Sequence, residues 1–149
     1  MTDTAVVIGI GNSFRRDDGV GLAVADRIAE RRLPGVRVVP ATGEPAALLE
    51  AWAGVARAVV VDAAAGEEST PGRVRRWSGD DLAAATAVSS HALGLAQTTA
   101  LGRALGRMPA ELVVFTVDIA DTAHGVGLTP AIAAAVPTVI DAVLAELDR

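Results

Sequence analysis

The sequence contains no cysteine. That one absence removes disulfides, thiolate metal sites and cysteine nucleophiles together, and it excludes a cysteine protease. Aromatic residues are scarce as well, at 3% of a chain that is 51% apolar. The core therefore has to be assembled from Ala, Val, Leu and Ile packed against many glycines, which suits helices lying tightly on a sheet. A long apolar run is also missing. The most apolar late stretch, Leu128 to Ile140, is interrupted by Pro130 and Pro137, and it falls short of the roughly 20 residues that a membrane span requires, so no span is expected. The opening MTDTAVVIGIGN runs straight into a strand-like pattern without a basic stretch and a separate apolar segment. No secretion signal is expected, and the cytoplasm is the expected compartment. Positive charge is in deficit, with a net charge of -5 and a pI near 4.9. The short basic clusters, Arg15-Arg16 and Arg73-Val74-Arg75-Arg76, have no aromatics interleaved for stacking, so nucleic acid is not an expected partner.

What is present points to one α/β domain over residues 1–149, a length that buries one core. No internal repeat, low-complexity tract or linker divides it. Short β-branched runs alternate with Ala/Leu-rich segments, the pattern of βαβ units around a parallel sheet. The runs are Ala5–Ile10, Val36–Val39, Ala58–Asp62, Val74–Trp77 and Leu112–Val117. Ala58–Asp62 and Leu112–Val117 are continuously apolar, as strands buried on both faces are, and are the expected central strands. A first helix is expected from Asp17 or Asp18 to just before Pro34, with Val20, Val24 and Ile28 on one face. A second runs from Glu44 to Trp52, and a third from Ser89-Ser90, as hydroxyl caps, to Leu105. The last is expected to start at Pro137, after a separate one-turn piece at Thr129-Pro130, and to dock through Ile140, Val143, Leu144 and Leu147. Ala63–Gly72 reads as a loop. The expected architecture is a three-layer α/β/α sandwich around a mostly parallel sheet of about five strands.

In open α/β sheets, ligands bind beyond the carboxyl ends of the strands, so the residues that follow each strand are the informative ones. After the first strand comes a glycine-rich turn, Gly9 to Gly21, with Asp17 and Asp18 at the mouth of the first helix. Glycines allow sharp turns and close approach, and acids at a helix N-terminus stay ionised, as ligating carboxylates must. The same two acids also read as simple helix caps. Gly9-Ile10-Gly11 lacks a third glycine at position 14, which is Phe, so it does not complete a dinucleotide fingerprint. Asp62 ends the strand AVVVD, where its carboxylate points into the crevice and needs a partner or a metal to offset burial; an Asp that merely caps the next turn is the alternative. His91 opens the third helix, whose dipole favours the neutral imidazole that binds metals. His124, in a Gly-rich loop, reads as solvated. Two carboxylates and one imidazole converging from separate strand ends would make an incomplete site with open positions, suited to nickel, zinc or manganese.

The ordered set GIGN, DDGVG, VVVDA and SSHALGL, followed by Gly127-Leu128-Thr129-Pro130 and an Ala/Val-rich helix, resembles the hydrogenase maturation endopeptidases over essentially the whole chain. The resemblance implies an endopeptidase that removes the C-terminal peptide from the large-subunit precursor of a nickel–iron hydrogenase after nickel insertion. It places the metal-contacting and catalytic roles on Asp18, Asp62 and His91, with nickel carried by the substrate and no tightly bound organic cofactor. The first acid of the family is commonly Glu; here it is Asp18, one methylene shorter, with Asp17 as a candidate to share its role. Ala41-Thr42-Gly43-Glu44 stands where the family has a small-residue turn lining the cleft. Val117-Asp118-Ile119-Ala120-Asp121 differs from the family's Glu-containing version, and no function is carried onto it. Two other classes stay open at this point: a non-catalytic metal-sensing assembly factor of the same fold, and a small-molecule enzyme with a nucleotide-type pocket.

Overall fold

The computed structural model describes residues 4–65, 69–84 and 90–149, with backbone alone at 83, 84 and 90–93. Five strands, β1 (Ala5–Ile10), β2 (Val36–Ala41), β3 (Arg57–Ala64), β4 (Val74–Ser78) and β5 (Glu111–Asp118), form one sheet in the order β2-β1-β3-β5-β4. The pairs β1/β2, β1/β3 and β3/β5 are parallel, and β4 runs antiparallel to β5 at the edge. Successive side chains on a strand point to opposite faces, and the core divides accordingly. Val7, Val59, Val61, Val113, Phe115 and Val117 face one layer, while Val6, Ile8, Ala58, Val60, Leu112 and Val114 face the other. The first layer holds α1 (Val20–Glu30) and α5 (Pro130–Leu147). The second takes Leu48, Leu49 and Trp52 from α2 (Pro45–Trp52), Leu82 from α3 (Gly79–Ala84) and Leu95 from α4 (Ser90–Leu105). This is the expected α/β/α sandwich. β3 is the central strand as expected, but β1 is buried along its whole length and is as interior as β5.

Two expectations about helices and one about a loop are corrected. A 3-10 turn over Arg16–Gly19 precedes α1, and neither it nor α1 has a side-chain cap hydrogen bond, so Asp17 and Asp18 are not caps. The last helix is continuous from Pro130, with Pro137 inside it. Proline removes one backbone donor there, yet Ile132, Ala135, Val136, Val139, Ile140 and Val143 bury one stripe in the core across the break. That burial holds the two pieces in line. At 18 residues and a mean hydropathy of 1.6, α5 is long and apolar enough by those measures to cross a membrane; its buried stripe is that of a helix docked on a sheet. The expected loop from Ala63 is shorter, because β3 runs on to Ala64 in register with Asp118. Gly66 and the Ser89 cap lie outside the described residues.

Gly9 and Gly21 serve packing. A Cβ on Gly21 would sit 2.4 Å from the carbonyl oxygens of both Ile10 and Val61, and one on Gly9 would sit 2.3 Å from the Gly21 oxygen. Helix α1 thus rests directly on the backbones of β1 and β3, which brings its N-terminal turn to their carboxyl ends. Gly21→Ala is expected to destabilise the fold by about 1–3 kcal/mol, because backbone oxygens of two central strands have to move. A shift of the urea midpoint measures it.

At the opposite end of the sheet, Glu146 is 4% exposed and accepts a hydrogen bond from Arg76. That bond chiefly holds its carboxyl below the usual value against the effect of burial, with the charges of Arg76, Arg149 and Arg57 adding to it. A carboxyl depressed in the folded state stabilises fully above its unfolded pKa and loses that contribution as pH falls through the folded value. Stability is therefore expected to drop on acidification below the ordinary value of 4.5. Glu146→Gln should show a smaller drop over that range, starting from a lower stability at neutral pH, as read by denaturant titration at each pH.

Candidate functional site

The chain leaves β1 for β2 over one face of the sheet and returns from β2 to β3 over the other, which makes the β1/β3 boundary the topological switch point. Open sheets bind ligands beyond the carboxyl ends at such a boundary. Both sequence-predicted acids flank it. Asp62 lies one residue beyond the Gly9↔Val61 pair, near the carboxyl end of the central strand. It is 2% exposed, and its Oδ1 accepts the Ala63 amide at 2.8 Å. Asp18 sits in the turn after β1, with its Oδ2 accepting the Asn12 amide at 3.0 Å.

Two clefts open here. One, of about 280 Å³, is lined by Ile10, Thr42, Gly43, Leu48, Asp62, Gly94 and Leu95. The other, of about 580 Å³, is lined by residues 11–15 together with Asp18, Leu22 and Thr42. Thr42, just past the end of β2, borders both, so one rim carries the openings onto Asp18 and Asp62. His91 is the second residue of α4, in the turn preceding Gly94 and Leu95, and its side chain is outside the described residues. Among the described residues no group of three or more His, Asp or Glu side chains is placed to hold a metal ion. His124 is exposed, as expected.

Asp17 takes a different part from the one expected of it. It is fully buried and absent from both clefts' linings, and its carboxylate accepts the amides of Ala120 (3.1 Å), Asp121 (3.0 Å) and Thr129 (2.7 Å). The Thr129 hydroxyl completes the set, 3.0 and 2.8 Å from the two oxygens. Burial pushes the Asp17 pKa up, but the bonds from Thr129, Asp121 and Ala120 outweigh it and hold the carboxyl below its usual value. With both oxygens engaged, Asp17 is an anchor between the first turn and the β5–α5 connection. The neighbouring acids therefore divide the work: one builds the turn and the other faces the cleft.

A sequence model of the HycI hydrogenase maturation protease family matches residues 22–146. The chain belongs to the hydrogenase maturation protease family. The matched span contains Asp62 and His91, while Asp18 precedes it. A relative, the hydrogenase 2 maturation protease of Escherichia coli strain K12, is 26% identical over 146 residues, covering 95% of this chain and 89% of its own length. Among solved structures, the hydrogenase maturating endopeptidase HybD from E. coli superposes with a TM-score of 0.83 at 24% identity, over 99% of this chain and 93% of that one. The [NiFe] hydrogenase maturation protease HybD from Thermococcus kodakarensis gives 0.75 at 24% identity over the whole of both chains. These two likenesses support the fold.

In this maturation protease, sequence reasoning missed the Asp17 anchor and the part of Asn12. The Asn12 amide holds Asp18, and its own Oδ1 accepts the Phe14 amide at 2.9 Å. The second contact was readable, because Asn side chains commonly bond their own backbone two residues on. Asp17 was not readable, because its partners lie more than 100 residues away. Thr42 and Gly43 line the cleft as the turn after β2 was expected to, whereas Glu44 is exposed and outside both linings.

Proposed function

We propose that this protease removes the C-terminal peptide of a nickel–iron hydrogenase large-subunit precursor after nickel has been inserted, and that Asp18, Asp62 and His91 contact that nickel as part of the substrate. The observation that carries the reading is the common rim at the switch point, where the clefts onto Asp18 and Asp62 meet at Thr42. The turn of α4 that follows His91 walls the Asp62 cleft. The donor types fit: imidazole suits nickel, and two carboxylates with one imidazole leave positions for ligands from the precursor. Asp18 suits such a contact because, among the described residues, only the Asn12 amide bonds its carboxylate.

A metal ion beside the scissile bond polarises the carbonyl and acidifies water. The chain's own part is to hold the precursor and to move a proton. Whichever carboxylate of the pair, Asp18 or Asp62, is not engaged by the metal takes the proton from the attacking water and returns it to the departing amine. Water is the nucleophile in this scheme, so no acyl-enzyme forms and no organic cofactor is called for.

Metal dependence tests the reading. A nickel-loaded precursor is expected to lose its C-terminal peptide, read as intact mass, while the same precursor prepared without nickel stays whole. Equal cutting of both would remove the role given to nickel. Binding of the loaded precursor without any cutting would favour an assembly factor.

A further inference from the structure

Aromatic residues are few here, two Trp, two Phe and no Tyr, and three of the four are committed to the interior. Trp52 and Phe115 are buried, and the Trp77 indole donates to Thr116 Oγ1 at 3.0 Å. Phe14 is 68% exposed, and Val126, at 76%, lies on the facing loop. Phe14 is not a loose loop tip. Its amide donates to Asn12 Oδ1, its carbonyl accepts the Gly125 amide at 2.9 Å, and the Arg16 amide donates to the Gly125 carbonyl at 3.1 Å. Arg15 Nε donates to the Thr122 carbonyl at 3.3 Å, and Asp17 anchors the start of the same loop through Ala120 and Asp121. The two loops form one braced platform that holds an aromatic ring in solvent beside the cleft.

We infer that Phe14, with Val126 on the facing loop, is the contact on which the protease seats a short apolar segment of its protein substrate next to the bond to be cut. The inference rests on the function proposed above and adds how that substrate is held. Phe14 and Asp18 line the same cavity, so a polypeptide whose metal reaches the Asp18 carboxylate enters a cleft that the ring borders. Burying an aromatic ring that is already fixed by its backbone yields binding free energy at little ordering cost, and such rigid aromatic anchors dominate protein interfaces. Arg15 lines that cavity too and keeps the polar side of the platform cationic.

The test is steady-state cleavage of nickel-loaded precursor by the wild type, Phe14→Ser, Val126→Ser and, as an exposed apolar control on α4, Leu101→Ser. Phe14→Ser is expected to raise KM by about tenfold with kcat at saturation unchanged, since the lost contact is made equally in ground and transition states. Val126→Ser should give a smaller rise and Leu101→Ser none. Thermal unfolding of the Phe14 and Val126 variants should match the wild type, because neither side chain packs in the core. An unchanged KM for Phe14→Ser while the wild type cuts normally would overturn this inference alone. A loss of kcat at unchanged KM would overturn it as well, by showing that Phe14 acts on the chemistry. A wild type that leaves the precursor whole would overturn the proposed function, and this inference with it.

Discussion

Asp62→Asn is expected to leave the hydrogenase precursor uncut, slowing cleavage by about a thousandfold or more, while the protein stays folded. The asparagine carbonyl replaces the Asp62 Oδ1 that accepts the Ala63 amide, so the last residues of β3 keep this local bond. What disappears is the negative charge at the carboxyl end of the central strand, at the switch point, in a side chain almost wholly shielded from water. A charge so shielded neither attracts a cation nor accepts a proton once it is replaced by an amide. Asp18→Asn should act in the same direction, since it too keeps the bond to Asn12 through its oxygen. Single-turnover cleavage followed by intact mass reads both, and circular dichroism melting checks that the folds are unchanged. Wild-type rates in both variants would remove these residues from the chemistry.

Asp17→Leu should do the opposite: it destabilises the fold, and activity is lost as a consequence. Three backbone amides, those of Ala120, Asp121 and Thr129, give their hydrogen bonds to this one carboxylate in a fully buried position. Leucine accepts none of them. A buried donor left without a partner costs on the order of 1–3 kcal/mol, and the three share one loop, so a total loss of about 3 kcal/mol or more is expected. Asp17→Asn, which keeps one acceptor oxygen, should fall between the two. Urea denaturation of Asp17→Leu against Asp18→Asn separates the roles, with a large midpoint shift in the first and little in the second. Equal shifts would contradict the division of labour between these adjacent acids.

Much of this was legible before the fold was known, for identifiable reasons. The continuously apolar AVVVD and LVVFTV have the composition of strands buried on both faces, and β3 and β5 are such strands. The stripe of Val20, Val24 and Ile28 is the buried face of α1. Asp62 could be located because an acid near the carboxyl end of an interior strand has one place to go, the crevice. What escaped reading depended on distant partners. Asp17 and Asp18 are chemically identical neighbours, and only the β5–α5 connection, which wraps Asp17, tells them apart. Local backbone chemistry argues for a helix start at Pro137, and the buried stripe on either side overrides it. The motif glycines suggested close approach to a ligand, yet Gly9 and Gly21 let a helix lie on two strands. In each case a tertiary contact decided between two locally reasonable readings.

The central claim is that the rim joining Asp18, Asp62 and the start of α4 cuts a metal-loaded precursor. The most direct measurement is the intact mass of a nickel-loaded large-subunit precursor before and after incubation with the wild type and with His91→Ala. The wild type alone is expected to release a C-terminal peptide, with the precursor shortened by that mass and His91→Ala leaving it whole. Release of the same peptide by both proteins would contradict the site assigned here, and release by neither would contradict the proposed activity.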